Sequence, residues 1–265
     1  KLHNNYEYIY TSSNKSKNIS DIIPISRSYF KIHEILKDFD INSLEYCSCI
    51  AEGPGGFINC LLNNYDIKCI YGITLLSNDR KIPFWSSKLF NNPRVYLNKY
   101  KNTGDIYIKK TADNFINNSN KCDLVTADGG FDYSNDYNKQ ELLSYKLIYS
   151  EIYIALNIQK DNGTFVLKVF DIFYHKTIQL LYLLFLSYSE LYIYKPTVSR
   201  ISNSEKYIVC KGFKGFNKEI IDLLTNYYSN VNNLHIELPQ KFIDIIKEYN
   251  NIFVQNQIDY INKIL

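Results

Sequence analysis

The segment from Tyr46 to Phe57 reads YCSCIAEGPGGF, and it predicts how the rest of the chain is arranged. Its first six residues form a short apolar run, and three glycines and a proline follow within positions 53–56. Such a run, followed by an apolar segment over 57–62, predicts a buried strand, a tight loop and a helix. The glycines would let a ligand approach the backbone closely, and the free N–H groups of the helix would face an anion. The pattern alone is not specific, because an ordinary turn between a strand and a helix shares it.

The composition indicates one large globular domain, with 46% hydrophobic and 22% charged residues in a chain of 265. The net charge of +3 limits any nucleic-acid surface to a local groove. The bias towards Asn, Ile, Lys and Tyr is typical of an AT-rich genome. Six cysteines without a CxxC pair and four scattered histidines favour reduced thiols, an intracellular protein and no structural metal. The most apolar run, Ile178 to Leu186, is too short to cross a membrane, so we expect no membrane partner.

The order of predicted elements divides the chain into an N-terminal arm (1–24), one α/β domain (25–216) and a C-terminal helical extension (217–265). Predicted strands cover 46–51, 68–75, 94–97, 123–127, 164–170, 190–194 and 206–213. Predicted helices cover 26–36, 57–62, 139–157, 177–187, 219–224 and 240–249, with further helix towards 265, and 161–163 is a predicted turn. This order fits an open α/β sheet that ends in a two-strand unit, which could be antiparallel.

Four charged residues lie at the edges of predicted elements: Lys31, Asp128, Lys168 and Glu205. Three of the four have an ordinary interpretation. Lys31 could be a solvated helix lysine, Asp128 a turn residue before Gly129, and Lys168 an edge-strand residue whose amine reaches solvent. If the four converge instead, the carboxylates and the second amine act in opposite directions on the pKa of a buried lysine. Such a lysine could orient or deprotonate a weakly acidic hydroxyl.

Four motifs occur in a recognisable order: GPGGF at 53–57, TADGGF at 126–131, GTFVLKVFD at 163–171 and KPTVSRISNSEKYIVCKGF at 195–213. With these motifs the chain resembles the FtsJ-like ribose 2′-O-methyltransferases over roughly residues 26–215. Within that family it is most similar to the cap-specific mRNA 2′-O-methyltransferases of eukaryotes and large DNA viruses. The resemblance implies a Rossmann-like fold with a mostly parallel seven-stranded sheet, an antiparallel last strand and helices on both faces.

The resemblance also implies a set of site residues. The catalytic Lys-Asp-Lys-Glu tetrad of the family falls on Lys31, Asp128, Lys168 and Glu205. S-adenosylmethionine (SAM) would bind at Glu52, Gly53, Pro54, Gly55, Gly56, Phe57, Asp105 and Asp128. By default an aspartate in this position is a turn residue, and the ligand-binding role of Asp105 is the alternative. Relatives often have a small residue at position 52, and the Glu52 carboxylate could accept a hydrogen bond from the SAM ammonium group. An acidic residue for the ribose hydroxyls is not evident in 72–75.

For RNA, Arg27 and Arg200 flank tetrad residues and could bind phosphates, although each could instead be a structural arginine paired with a carboxylate. Ser202 and Asn138 are further RNA-binding candidates. Aromatic walls for a methylated cap guanine could come from Trp85 in the Pro83-Phe84-Trp85 loop, or from Tyr133 and Tyr137. The expected partner is a capped mRNA 5′ end, with other capping or transcription proteins as further partners.

Two alternative functions stay open at this stage. One is a ribosomal or transfer RNA 2′-O-methyltransferase with the same chemistry, which the long insertion after the second strand and the SRISNSEKY motif disfavour. The other is a catalytically silent RNA-binding or scaffolding module, which the four retained tetrad positions disfavour. The expected location is the cytoplasm, including a viral factory, or the nucleus.

Overall fold

The computed structural model describes residues 6–11, 15–79, 82–131, 133 and 136–264. Strands and α-helices alternate along much of this part of the chain. The strands are β1 (Tyr46–Ile50), β2 (Cys69–Ile73), β3 (Val95–Leu97), β4 (Cys122–Ala127), β5 (Gln159–Val169), β6 (Tyr188–Tyr194) and β7 (Lys206–Phe213). The helices are α1 (Ser28–Asp38), α2 (Gly56–Asn64), α3 (Lys109–Asn117), α4 (Gln140–Ile158), α5 (His175–Ser187), α6 (Lys218–Tyr227) and α7 (Gln240–Ile264).

The strands form one sheet in the order β3-β2-β1-β4-β5-β7-β6. The neighbouring pairs from β3 to β5 are parallel, whereas β7 runs antiparallel to both β5 and β6. The predicted fold class is therefore confirmed, including the antiparallel last strand. The strand order reverses between β1 and β4, and in open α/β sheets the crevice beyond the carboxyl ends of such strands is where ligands bind.

Two hydrophobic cores cover the two faces of the sheet. Successive strand residues point to opposite faces, and accordingly Cys49 packs in the core of α1 and α2, whereas Ile50 packs in the core of α3 to α7. Val166 and Val209 belong to the first core. Lys168, two residues after Val166, therefore faces the side of the sheet on which α1 carries Lys31.

Two parts of the fold differ from the prediction. Helix α3 was not expected, because the segment KKTADNFIN has few apolar residues, but its short buried face of Thr111, Ala112 and Phe115 packs on the core. The turn predicted at 161–163 lies inside β5 instead. The β4–β5 register shifts there, and Asn162 adopts a positive φ of 62°, so the polar segment forms an irregularity within the strand.

The helices after β7 share the core of the sheet. Helix α6 buries Ile220, Ile221 and Leu224, and the Tyr149 hydroxyl of α4 donates a hydrogen bond to the Leu224 carbonyl at 2.6 Å. In α7 the Asn250 side chain donates to the Ile172 carbonyl at 2.8 Å. Across the described ranges, we find no helix with the length and apolar character needed to cross a membrane.

Candidate active site

A cleft of about 1440 Å³ lies beyond the carboxyl ends of β1, β4 and β5. Its walls come from the glycine loop after β1, the segment after β2, the turn around Asp105, the loop after β4 and the segment that joins β6 to β7. The position agrees with the general location of ligand sites in open α/β sheets. Among the described residues, no group of three His, Cys, Asp or Glu side chains converges to hold a metal ion.

The glycine loop presents only its first part to the cleft, where Gly53 and Pro54 line the wall. Gly55 adopts a left-handed φ of 107°, and a Cβ there would come within 2.3 Å of Leu89. A Cβ on Gly56 would lie 2.1 Å from the Ser26 hydroxyl of the segment before α1. These two glycines are therefore needed for the turn and for close packing. Phe57 is fully buried and contacts protein rather than the cleft.

Glu52 lies beneath the loop and is only 2% exposed. Its Oε1 accepts a hydrogen bond from the Phe57 N–H at 2.8 Å, which links the carboxylate to the start of α2. Its Oε2 is buried without a hydrogen-bond partner among the described residues. Burial raises the pKa of Glu52 to about 8, against the opposing effect of the Phe57 N–H. Glu52 does not line the cleft, so the expected contact with a ligand ammonium group has no support in this geometry.

The four predicted tetrad residues converge in space. Lys168 Nζ lies 3.3 Å from Asp128 Oδ1 and 2.7 Å from the Asp128 carbonyl oxygen. Lys31 Nζ lies 2.6 Å from Glu205 Oε1. Asp128, Lys168 and Glu205 line the cleft, whereas Lys31 lies behind Glu205 and does not. The structure thus brings two cations and two carboxylates from α1, β5 and the segments after β4 and before β7 into one cluster.

Lys168 is buried on a central strand, since β5 lies between β4 and β7. The alternative of an edge lysine that reaches solvent therefore does not hold, and its side chain is only 11% exposed. Burial alone would lower the pKa of Lys168, but the charges of Asp128, Glu205 and Glu151 outweigh that effect and raise the pKa. The amine is consequently an ammonium ion at neutral pH, and it is held by fixed acceptors.

Glu205 is held from two sides. Beyond the Lys31 ion pair, its Oε1 accepts a hydrogen bond from the Ser199 hydroxyl at 2.8 Å. Burial works against the ionised form, but Lys31 and Lys168 lower the pKa of Glu205 to about 2. Glu205 therefore stays a carboxylate throughout the range in which the protein would function.

Three residues that contact the tetrad or the glycine directly after Asp128 were not predicted. Tyr207 is paired with Lys168 across β5 and β7, and its hydroxyl donates to Asp128 Oδ1 at 2.8 Å. Glu151 of α4 is 1% exposed and accepts a hydrogen bond from the Gly129 N–H at 3.2 Å. Ser199 is the third. The sequence could have indicated Tyr207, because it stands two positions after Glu205 at the start of a strand. Glu151 could not be identified in this way, because it resembles any other helix residue in sequence.

Two carboxylates outside the tetrad, Asp105 and Asp79, also line the cleft. Asp105 lines the cleft, and its Oδ1 accepts a hydrogen bond from the Tyr107 N–H at 2.8 Å, as in a turn. Both interpretations of Asp105 are thus compatible with its position. Asp79 also lines the cleft, in the segment after β2. Residues 72–75 contain no acidic side chain for the ribose hydroxyls, and Asp79 lies four positions after that segment.

The two arginines proposed for phosphate binding line the cleft, but both are paired with Glu7 of the N-terminal arm. Arg200 Nε and Nη2 lie 2.9 Å from the two Glu7 carboxylate oxygens, and Arg27 Nη1 lies 3.4 Å from Oε2. Arg27 also donates to the Val198 carbonyl at 3.0 Å. Glu7 is only 7% exposed, and hydrogen bonding and charge from the arginines lower its pKa to about 2, against burial. Both arginines are therefore paired with a carboxylate in this structure, which is the alternative to phosphate binding that the sequence left open.

Of the remaining RNA-binding candidates, Ser202 and Asn138 line the cleft, as do Tyr133 and Tyr137. Tyr137 is 66% exposed, whereas the Tyr133 hydroxyl is bonded to Ser144. Trp85 is 4% exposed and packs in the core below the cleft, so it offers no face to a base. The burial of Trp85 contradicts its predicted role in RNA binding, whereas Phe131 is exposed and lines the cleft together with Tyr137.

Comparison with known proteins agrees with this geometry. The family model of FtsJ-like methyltransferases matches residues 24–213. The cap-specific mRNA (nucleoside-2′-O-)-methyltransferase of Autographa californica nuclear polyhedrosis virus is 32% identical over 85% of this chain and 84% of the viral protein. The mouse cap-specific mRNA (nucleoside-2′-O-)-methyltransferase 2 is 29% identical over 90% of this chain, but the match spans only 35% of the mouse protein.

A solved structure from Plasmodium falciparum that carries the name of a ribosomal RNA methyltransferase has the same fold. It superposes with a TM-score of 0.50 at 23% identity, and it covers 72% of this chain and 98% of its own. This likeness supports the architecture only. The family match, the viral relative and the assembled cluster agree, and the chain belongs to the FtsJ-like methyltransferase family.

Proposed function

We propose that this protein is a SAM-dependent mRNA cap methyltransferase that methylates the ribose 2′-hydroxyl of the first transcribed nucleotide. The observation that carries the proposal is the convergence of Lys31, Asp128, Lys168 and Glu205 at one end of the cleft. The names of the viral and mouse relatives support the capped mRNA 5′ end as the substrate. The protein would then act where mRNA is capped, in the cytoplasm or the nucleus.

The cleft fits a cofactor together with a nucleotide. Its volume of about 1440 Å³ exceeds the range of about 300–1,000 Å³ that is usual for a single small ligand. The wall nearest β1 is largely backbone, because Gly53 and Gly129 have no side chains there. Bound SAM would supply a methyl group activated by a positively charged sulfur. Gly53, Pro54 and Asp105 are the residues we expect to hold it.

Lys168 would orient the ribose hydroxyl. Its raised pKa keeps it an ammonium ion, so it would donate a hydrogen bond to the 2′-oxygen and stabilise negative charge that develops there. Because Lys168 is already protonated, the proton of the hydroxyl would pass to water in the cleft. Asp128 fixes the ammonium through its carboxylate and its carbonyl oxygen. The charge of Glu205 also favours the ammonium form of Lys168, and Lys31 compensates the charge of Glu205. Alignment of this kind contributes on the order of 7–11 kcal/mol in well-oriented reactions.

The decisive experiment substitutes Lys168→Met, which keeps the side-chain length and removes the charge. We expect methyl transfer to a short capped RNA to fall at least 100-fold while SAM still binds in calorimetry. Lys160→Met is a matched control, since Lys160 lies on the same strand but pairs with Asp123 at the surface. Mass spectrometry of nuclease digests would locate the methyl group on the first nucleotide.

The substrate requirement is tested with three forms of the same RNA. The first has a cap, the second has a 5′ triphosphate, and the third has a cap and a 2′-deoxy first nucleotide. Only the capped ribonucleotide substrate should be methylated. Equal methylation of capped and uncapped RNA would favour the ribosomal or transfer RNA alternative. Full activity of Lys168→Met would remove Lys168 from the mechanism, and SAM binding without transfer to any RNA would favour the silent scaffold.

A further inference from the structure

A second pocket, about 490 Å³ in volume, lies between the C-terminal half of α7 and the segment that joins β6 to β7. We call it the side pocket. Three lysines and one aspartate line it, together with the aromatic side chains Phe253 and Tyr260. Helix α7 begins at Gln240, beyond the residues 24–213 that the family model matches. One wall of the side pocket is therefore an addition to the family domain.

The side pocket adjoins the cleft. Asn203, Ser204 and Gln257 line both. The Gln257 amide donates a hydrogen bond to the Ser202 carbonyl at 2.8 Å, which fixes α7 against the rim of the cleft. Ser204 directly precedes Glu205 of the tetrad. The side pocket therefore lies next to the tetrad end of the cleft, within reach of an RNA strand bound there.

The lysines of the side pocket outnumber the carboxylates near them, since Lys195, Lys206 and Lys263 face Asp259 and Asp171, which lies 3.7 Å from Lys206 Nζ, and the remaining positive charge favours an anionic ligand. Lys195 has a structural role, because its Nζ donates to the Asn203 and Glu205 carbonyls, both at 2.8 Å. Lys206 is buried and its Nζ lies 5.4 Å from the centre of the Phe253 ring. Lys263 is exposed, so it is the lysine best placed to meet a phosphate from solvent.

A basic groove that combines aromatic side chains with phosphate-binding lysines is the usual means of holding single-stranded nucleic acid. The exposed rings of Phe131 and Tyr137 line the cleft but not the side pocket, and they are available for the cap guanine. The side pocket, which lies outside that guanine site, is then left for the rest of the RNA strand. We propose that the side pocket binds the RNA nucleotide that follows the methylated one, with its base against Phe253 and its phosphate near Lys263. This inference rests on the proposed function.

The test uses the full chain with the double variant Phe253→Ala/Lys263→Gln. The control is Tyr249→Ala/Lys247→Gln, which changes an exposed ring and an exposed lysine of the same helix outside both pockets. KM is measured for a capped mononucleotide and for a capped octanucleotide. We expect the double variant to raise KM about tenfold for the octanucleotide only, with KM for the mononucleotide and the affinity for SAM unchanged.

An unchanged KM for the octanucleotide would overturn the proposal. An equal rise for both substrates would also overturn it, because that result indicates a general structural defect. Lys263→Gln alone provides a milder variant if the double variant folds poorly, and it should raise KM for the octanucleotide in the same selective way.

A second measurement does not depend on methyl transfer. A capped RNA with 4-thiouridine as its second nucleotide is photo-crosslinked to the wild-type protein and the site is mapped by mass spectrometry. We expect crosslinks in residues 253–263, whereas crosslinks confined to other segments would overturn the side-pocket assignment. Loss of methyl transfer to every capped RNA would contradict the proposed function instead, so the two failures are distinguishable.

Discussion

Lys31 and Glu205 form an ion pair with 2.6 Å between Nζ and Oε1, and their side chains are only 18% and 11% exposed. Lys31 comes from α1 on one face of the sheet, and Glu205 directly precedes β7. The pair therefore joins the start of the family domain to its last strand. Because the Glu205 carboxylate is buried, its negative charge must be compensated by its partners in the folded protein.

Glu205→Gln should destabilise the protein in a pH-dependent way. The folded pKa of Glu205 is about 2, below its ordinary value of 4.5, so its stabilising effect is complete above about pH 4.5 and is lost as the pH falls towards 2. Breaking a buried pair costs about 3 kcal/mol at neutral pH. Urea unfolding at pH 7, 5 and 3 would show the difference in unfolding free energy shrinking at pH 3. Glu237→Gln, an exposed control, should show no such trend.

Glu7→Gln should strengthen RNA binding. Glu7 occupies both Arg200 and Arg27, and its negative charge opposes a phosphate at the same arginines. Removing the charge frees the guanidinium groups, so we expect the Kd for capped RNA to fall about fivefold, roughly 1 kcal/mol. Fluorescence anisotropy over a salt series would also show a steeper salt dependence, because more counterions are released.

An unchanged Kd in Glu7→Gln would indicate that Arg27 and Arg200 serve only to hold the arm. Arg200→Ala separates the two roles, since it should weaken RNA binding only if the arginine meets phosphate. Glu190→Gln changes an exposed glutamate on β6 that lines neither pocket, and it should leave the Kd for RNA unchanged.

Glu151→Gln should become more stable relative to wild type as the pH rises. Burial raises the pKa of Glu151 to about 8, although Lys168 and the Gly129 N–H oppose that shift. The unfolded chain loses this proton near pH 4.5 and the folded chain only near pH 8, so wild type loses stability across that window. Glutamine does not titrate and can still accept the hydrogen bond from Gly129.

Unfolding experiments at pH 5 and pH 8 should therefore show a relative gain for Glu151→Gln of up to about 3 kcal/mol. Parallel stability curves for the two proteins would mean that Lys168 keeps Glu151 ionised throughout. Glu248→Gln on the exposed side of α7 is the control, and its curve should follow that of wild type.

Much of the fold could be predicted because local patterns agree with the final structure. The apolar run before Gly53 marked β1, and the order of later strands predicted the sheet. Helix α3 could not be predicted in the same way, since only Phe115 and two small neighbours are buried there. Its stability comes from tertiary packing and from the Lys109–Asp113 pair at 2.7 Å rather than from an apolar stripe.

The site was predictable where a residue stands in a motif, as Lys168 and Asp128 do. It was not predictable where a partner arrives from a distant segment with no local signal. Glu7 lies in a polar arm, and nothing near it in sequence indicates that it meets Arg200. Glu151 is likewise an ordinary helix residue until the fold places it beneath the loop after β4.

The glycine pair after Asp128 offers a matched test of how the loop supports Lys168. A Cβ at position 129 would lie 2.4 Å from Glu151 Oε1 and 2.7 Å from Leu147, whereas a Cβ at position 130 would lie 3.2 Å from Lys168 Nζ. Gly129→Ala must displace buried groups, so we expect a loss of about 2 kcal/mol in unfolding free energy. In Gly130→Ala, only the end of the Lys168 side chain must move, by a few tenths of an ångström.

We therefore expect Gly130→Ala to fold with near-wild-type stability and to lower kcat about tenfold, with little change in KM for SAM. The reason is that a small displacement of the orienting ammonium impairs alignment more than binding. Thermal unfolding and steady-state kinetics on the two variants would separate the effects. Equal losses of stability in both variants, or an unchanged kcat in Gly130→Ala, would show that the position of Lys168 Nζ is not set by this loop.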